Sequence, residues 1–279
     1  SAASISIGFA GAVALAGCAH VSGPAATPSA SAATRRAFAL IERIDRAGPT
    51  LNSVVAVDPD APAAARALDR ERRAGRIRGP LHGVPIILKD NIEAKGSLPT
   101  TAGSLALLDN VTNRDAPLVR RLRDAGAVII GKANLSEWAN YRSTRSISGW
   151  SGVGGLTRNP FALDRSACGS SSGTAVAVAA GIAVAGIGTE TDGSIICPAS
   201  MNGIVGFKPT LGLVSRRHIV PITPEQDTAG PMARSVTEVA NVLTAIAGSD
   251  AEDAATNEAD AHRVDYAATL HADALDGVR

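Results

Sequence analysis

An α/β fold is predicted for this chain, and three observations predict it. Strand-like and helix-like runs alternate along the sequence. At least one strand-like run, Val84 to Leu88 (VPIIL), is apolar at every position, as in a strand buried on both faces. Composition agrees: 45% of the 279 residues are hydrophobic but only 3% are aromatic, so the core is built from Ala, Val, Leu and Ile. Side chains that small suit helices laid closely on a buried sheet. The same figures exclude a disordered or collagen-like chain.

The elements follow in order. Thr34 to Ala47 reads as a helix, with Phe38, Ile41 and Ile44 at helical spacing. Leu51 to Val57 reads as a strand, and Asp58-Pro59-Asp60 turns the chain into a helix over Ala61 to Arg76. After the break at Gly79 to Gly83 comes the VPIIL strand, which ends at Lys89. A helix over Ala116 to Ala125, a strand over Ala127 to Ile130 and a short helix over Leu135 to Tyr141 follow. Trp150 to Gly173 is rich in Gly, Ser, Asn and Pro and reads as a long ordered loop, the kind that usually carries function. A small-residue helix (Thr174 to Ala180), a buried strand (Ile182 to Gly188) and a second Gly- and hydroxyl-rich loop (Thr189 to Cys197) come next. Ile204 to Phe207 and Leu213 to Ser215 read as strands, and Ser235 to Ile246 as an amphipathic helix. Ala251 to Arg279 is acidic and Ala-rich, without a clear terminal element.

The N-terminal segment has a different character. Ile5 to Gly17 is an uncharged apolar run, short for a bilayer span but suited to the core of an export signal. It ends Leu15-Ala16-Gly17-Cys18, which resembles the lipobox of bacterial lipoproteins. That resemblance implies cleavage before Cys18, lipidation of its sulfur and a periplasmic, membrane-anchored protein; an ordinary signal peptide with an incidental Cys is the alternative. Residues 18–33, rich in Pro, Ser and Ala, read as a tether, and 34–279 as the folded domain. With Lys plus Arg at 27 and Asp plus Glu at 26, the net charge of +1 gives no footprint for nucleic-acid binding. Three cysteines make no disulfide framework, and no Cys or His spacing suggests zinc.

Two serine-rich stretches and one lysine carry candidate chemistry. Gly169 to Gly173 (GSSSG) matches a nucleophile elbow centred on Ser171, but no strand precedes it, and His218, His262 and His271 have no suitable context. Ser194 lies in Gly188 to Ile195 (GTETDGSI), directly after a buried strand. Such a turn can aim successive N–H groups at one point, placing a nucleophile beside an oxyanion hole. The available base is Lys89, preceded by four apolar residues, because burial lowers the pKa of an amine. Taken singly, Lys89 is more simply a solvated strand end and the serine cluster a flexible loop.

Taken together, the blocks Gly83 to Asn91 (GVPIILKDN), Cys168 to Gly173 (CGSSSG) and Gly193 to Pro198 (GSIICP) resemble the signature blocks of the amidase signature family, in the family's order. Ser170 and Ser194 are 24 positions apart, the family's spacing. The similarity continues through Pro99 to Ser104, Ala125 to Trp138, Val205 to Thr210 and Gln226 to Ser235, and is greatest toward peptide amidases. The resemblance implies a mixed, mostly parallel central sheet with helices on both faces, and an amidase needing neither metal nor cofactor. Ser194 is then the nucleophile. Ser170, on a cis peptide bond, is the proton relay and Lys89 the base, while the N–H groups of Thr191, Asp192, Gly193 and Ser194 form the oxyanion hole. The substrate is a small-molecule or peptide amide, and the only membrane contact is through the lipid anchor. A component of an amidotransferase is a further reading within the family, which an export leader disfavours. A binding protein on a disabled amidase scaffold is another, which the intact Lys89, Ser170 and Ser194 disfavour. Asp192 beside the nucleophile must point away or be paired. Cys168 and Cys197 are expected to be two small buried thiols rather than a disulfide. Domains of this family are considerably longer, so these 279 residues are expected to be the N-terminal portion, aggregation-prone and inactive alone.

Overall fold

A computed structural model describes residues 28–274 and 276–278. The apolar leader, Cys18 and most of the tether lie outside the described residues.

The elements run α1 (Ala30–Leu40), β1 (Val54–Val57), α2 (Ala61–Arg73), β2 (Pro85–Lys89), α3 (Pro117–Asp124), β3 (Val128–Ala133), β4 (Trp150–Ser151), β5 (Gly155–Leu156), α4 (Ser172–Ala179), β6 (Ala185–Glu190), α5 (Ile196–Met201), β7 (Val205–Gly206), β8 (Thr228–Ala233), α6 (Val236–Ile246) and α7 (Ala259–His262). Six strands form one mixed sheet in the order β1-β3-β2-β6-β8-β7. Its centre, β3-β2-β6, is parallel, while β1 and β8 run against it.

Helices cover both faces, and the reason is legible in β2. Alternate residues of a strand face opposite ways. Ile86 and Leu88 join a core with Leu118 and Leu122 of α3 and Val239, Leu243 and Ile246 of α6. Ile87 joins the opposite core with α1, α2 and α4, through Ala37, Leu68 and Val178. The apolar run from Pro85 to Leu88 is what this double burial requires. Local chemistry sets the helix ends. Ser235 and Glu238 form a capping box that starts α6. Asp69 on α2 accepts hydrogen bonds from the N–H groups of Ala30 (2.7 Å) and Ser31 (3.0 Å), tying α2 to the start of α1.

Small residues bring α4 down onto the sheet. A Cβ at Gly186 would lie 2.5 Å from Thr174 Cγ2, and one at Gly188 would lie 2.8 Å from Ser171 Oγ. The glycines of β6 therefore let the serine-rich start of α4 sit against the end of β6, where the turn that carries Ser194 begins.

Several boundaries differ from the sequence expectation. The first helix ends in a π-turn over Ile41–Arg46. The expected strand over Ile182 to Gly188 begins at Ala185 and runs to Glu190, because Gly181, at φ +72°, and the following residues return the chain from α4. The loop to Cys197 gives way to α5, whose Pro198 sits in the first turn, where a helix tolerates it. Leu213 to Ser215 is not a strand. β8 has no counterpart in the sequence expectation because Gly230 and Pro231 read as turn residues; Gly230 allows the close approach of the Phe207 carbonyl. The expected short helix over Leu135 to Tyr141 is a tight turn in which Trp138, Ala139 and Asn140 all have positive φ.

Candidate active site

Lys89 ends β2 and is fully buried, at 0% exposure. Its Nζ lies 2.7 Å from Ser170 Oγ, 3.1 Å from the Thr189 carbonyl oxygen and 2.8 Å from Thr189 Oγ1. Burial disfavours the ammonium and lowers the pKa to about 7, against the opposing pull of Glu190 and Asp227. A neutral amine has two hydrogens and one lone pair. The two oxygens of Thr189 accept both hydrogens, which leaves the lone pair for the Ser170 hydroxyl. Thr189 thus orients the Lys89 amine, and sequence reasoning misses it inside a hydroxyl-rich loop. Where this amine takes up a proton during turnover, Thr189→Val, which keeps the shape and the carbonyl but removes Oγ1, is expected to lower kcat about 10- to 100-fold with KM nearly unchanged. Steady-state kinetics on the purified variant checks this.

Ser170 precedes α4 and follows a cis Gly169–Ser170 peptide bond. Its carbonyl accepts the Ser136 N–H at 3.0 Å. Ser171 is not the centre of an elbow: its hydroxyl donates to the Thr189 carbonyl (3.1 Å) and accepts the Thr189 N–H (3.2 Å). The Ser171 N–H donates to the Ser194 carbonyl at 3.1 Å, which ties the two serine turns together.

Ser194 is 8% exposed and sits in the turn between β6 and α5, where Gly193 has φ +76°. The turn is shaped by Glu190, whose Oε2 accepts the N–H groups of Ile195 (2.6 Å) and Ile196 (2.9 Å). The Cys197 N–H donates to the Gly193 carbonyl at 2.8 Å. Among the described residues, the N–H groups of Thr191, Asp192, Gly193 and Ser194 have no protein acceptor. Four successive donors free beside one hydroxyl can receive an oxyanion. Asp192 is exposed, so its carboxylate is hydrated outside the turn. Thr191 Oγ1 donates to Asp227 Oδ1 at 2.5 Å, and Asp227 Oδ2 accepts the N–H groups of Ile222 and Thr223. That carboxylate fastens the turn to the segment before β8.

The expectation of two free thiols at Cys168 and Cys197 is overturned: they form a disulfide, with Cα atoms 6.0 Å apart. The turns that carry Ser170 and Ser194 meet, and this brings together cysteines 29 positions apart in sequence.

A cavity of about 250 Å³ opens beside the turn, lined by Asn91, Thr189, Thr191, Val220, Pro221 and Ile222 among others. Two arginines also line it, and both are neutralised. Arg216 pairs with Asp253 at 2.8 Å, and Arg217 with Asp250 (3.0 Å) and Glu252 (2.6 Å).

The Amidase family model matches residues 36–276. The solved peptide amidase of Stenotrophomonas maltophilia is 57% identical and superposes with a TM-score of 0.80, over 88% of this chain and 48% of that one. A solved amidase family protein of Bacillus anthracis is 42% identical with a TM-score of 0.84, over the same shares of the two chains. A glutamyl-tRNA(Gln) amidotransferase chain of Symbiobacterium thermophilum is 47% identical over 216 residues, 77% of this chain and 43% of its own length. This chain spans less than half the length of each of these relatives.

Proposed function

The chain belongs to the amidase family, and on that premise we propose that it hydrolyses carboxamides to carboxylates and ammonia through Ser194, Ser170 and Lys89. The observation that carries this reading is the buried Lys89 amine at 2.7 Å from Ser170 Oγ, its hydrogens held by Thr189. Ser194 Oγ attacks the amide carbonyl while Ser170 takes its proton and passes its own to Lys89. The N–H groups of Thr191 to Ser194 hold the developing oxyanion. As the tetrahedral intermediate collapses, the relay runs backwards, and Ser170 protonates the departing ammonia. Water, activated by the same relay, then cleaves the acyl ester on Ser194 and restores the hydroxyl.

The cavity favours an uncharged amide. Its Ile, Val and Pro side chains offer apolar surface, and its arginines are already paired, so none is left to select a free carboxylate. A C-terminal peptide amide fits this chemistry better than the charged glutamine that an amidotransferase would use, and the 57% identity to a peptide amidase supports the same choice. Export with a lipid anchor at Cys18 also belongs to the proposal. Ile5 to Gly17 and the Leu-Ala-Gly-Cys run support it, as does a disulfide, which persists in oxidising compartments. Pairing of Cys168 with Cys197 leaves Cys18 as the remaining cysteine of the three.

Ammonia release across a panel of amides tests the reading. C-terminal peptide amides are expected to give the highest kcat/KM, ahead of fatty, aryl and small aliphatic amides. Release from free glutamine alone would move the assignment to an amidotransferase component.

A further inference from the structure

We propose that the Cys168–Cys197 cystine is a positioning element of this site, holding the Ser170 turn and the Ser194 turn at the separation that proton transfer between them needs. The inference rests on the reading of Ser170 as relay and Ser194 as nucleophile. Each cysteine is close to one of these serines in the chain: Cys168 is two residues before Ser170, and Cys197 three after Ser194. The two hydroxyls have different degrees of support. Ser170 Oγ is held by Lys89 at 2.7 Å. Ser194 Oγ makes no hydrogen bond to a protein group among the described residues, so its place depends on its backbone.

Besides the bonds of the Ser171 hydroxyl to the Thr189 backbone and the packing of Ile195 with Ala175 of α4, few connections hold that backbone against the Ser170 turn. One is the hydrogen bond from the Ser171 N–H to the Ser194 carbonyl. Another is more distant: Asn202, past the end of α5, donates from Nδ2 to the Ala167 carbonyl at 2.9 Å. Between them lies the disulfide, the one covalent tie between the turns. Glu190 shapes the nucleophile turn from within its own segment and gives no hold on the Ser170 side. Cys168 is moreover in the left-handed region, at φ +58°, which an L-residue with a Cβ adopts only when its surroundings impose it. Transfer of a proton between two hydroxyls is steeply sensitive to their separation, and an error of about 1 Å can cost about 100-fold in rate. The base is held separately by Thr189, so the cystine acts on the Ser170–Ser194 step and not on the ionisation of Lys89. Both cysteines are half-buried, within reach of a small reductant.

The test uses the full protein and the double variant Cys168→Ala/Cys197→Ala, with a peptide amide as substrate. The variant is expected to show a kcat about 10- to 100-fold lower, KM within about threefold of the parent and an acid limb still centred near pH 7. Should the variant fail to fold, the folded parent is treated with a dithiol. The disulfide takes two electrons and two protons to give two thiols, and the dithiol closes to a cyclic disulfide. Activity is expected to fall by the same factor and to return on reoxidation with oxidised glutathione. A double variant or reduced parent with kcat within twofold of the oxidised parent, even with a lower melting temperature, overturns the positioning role and leaves the amidase reading standing. A parent inactive on every amide overturns both.

Discussion

Ser194→Ala is expected to lower kcat for amide hydrolysis by about five to six orders of magnitude, the loss typical of removing a serine nucleophile whose relay and base then have nothing to activate. The fold should be indifferent to the change. Ser194 Oγ serves no protein group among the described residues, and the turn around it is held by Glu190, Gly193 and Asp227 rather than by the hydroxyl. Stability should therefore stay within about 0.5 kcal/mol of the parent, the usual range for a substitution that removes no packing and no hydrogen bond. Circular dichroism and a melting curve, run beside the ammonia assay, separate a dead enzyme from an unfolded one. Residual activity within tenfold of the parent would mean that another group attacks the substrate.

Lys89→Met is expected to be nearly as damaging to catalysis, by about four orders of magnitude or more, but its effect on stability has the opposite sign. The amine accepts a proton only when neutral. With a pKa of about 7, it is neutral above pH 7 and an ammonium below. The parent's kcat/KM should thus fall about tenfold per pH unit below 7 and level off above. The same shift governs stability. An unfolded lysine titrates near 10.4, so between about pH 7 and 10 the unfolded chain binds more protons than the folded one. Unfolding is then penalised more as pH rises, by up to about 1.4 kcal/mol per pH unit. Lys89 costs the fold most at and below pH 7, and least near pH 10. The Met variant lacks this slope. Denaturant titrations at pH 6 and pH 9 should show the variant's stability relative to the parent falling as pH rises; parallel curves would place Lys89 in contact with water.

The parts of the fold that can be read from sequence are those whose periodicity reports their surroundings. β2 is apolar from Pro85 to Leu88 because helices cover both of its faces, and α3 and α6 show their buried stripes directly. β8 is not legible in this way, because Gly230 and Pro231 serve close packing within a strand while carrying the residue types of a turn. α5 is obscured by its shortness and its Pro198. At the site, Lys89, Ser170 and Ser194 stand out through motif blocks and their order. The groups that set their geometry do not. Thr189 acts through its carbonyl as well as its hydroxyl, and a backbone oxygen leaves no mark in a sequence. Glu190 and Asp227 fasten backbone N–H groups in turns whose shape is known only once folded. The cystine joins positions 29 apart, and only the meeting of the two serine turns brings its halves together.

In this mechanism a neutral Lys89 activates Ser194 through Ser170. This activation is tested most directly by labelling the protein with a fluorophosphonate at a series of pH values and mapping the modified residue by peptide mass spectrometry. One label is expected, on Ser194, with a rate that rises through a midpoint near pH 7 and reaches a plateau above it. Labelling on Ser171, or labelling of Ser194 at a rate that does not change between pH 5 and pH 9, would contradict it.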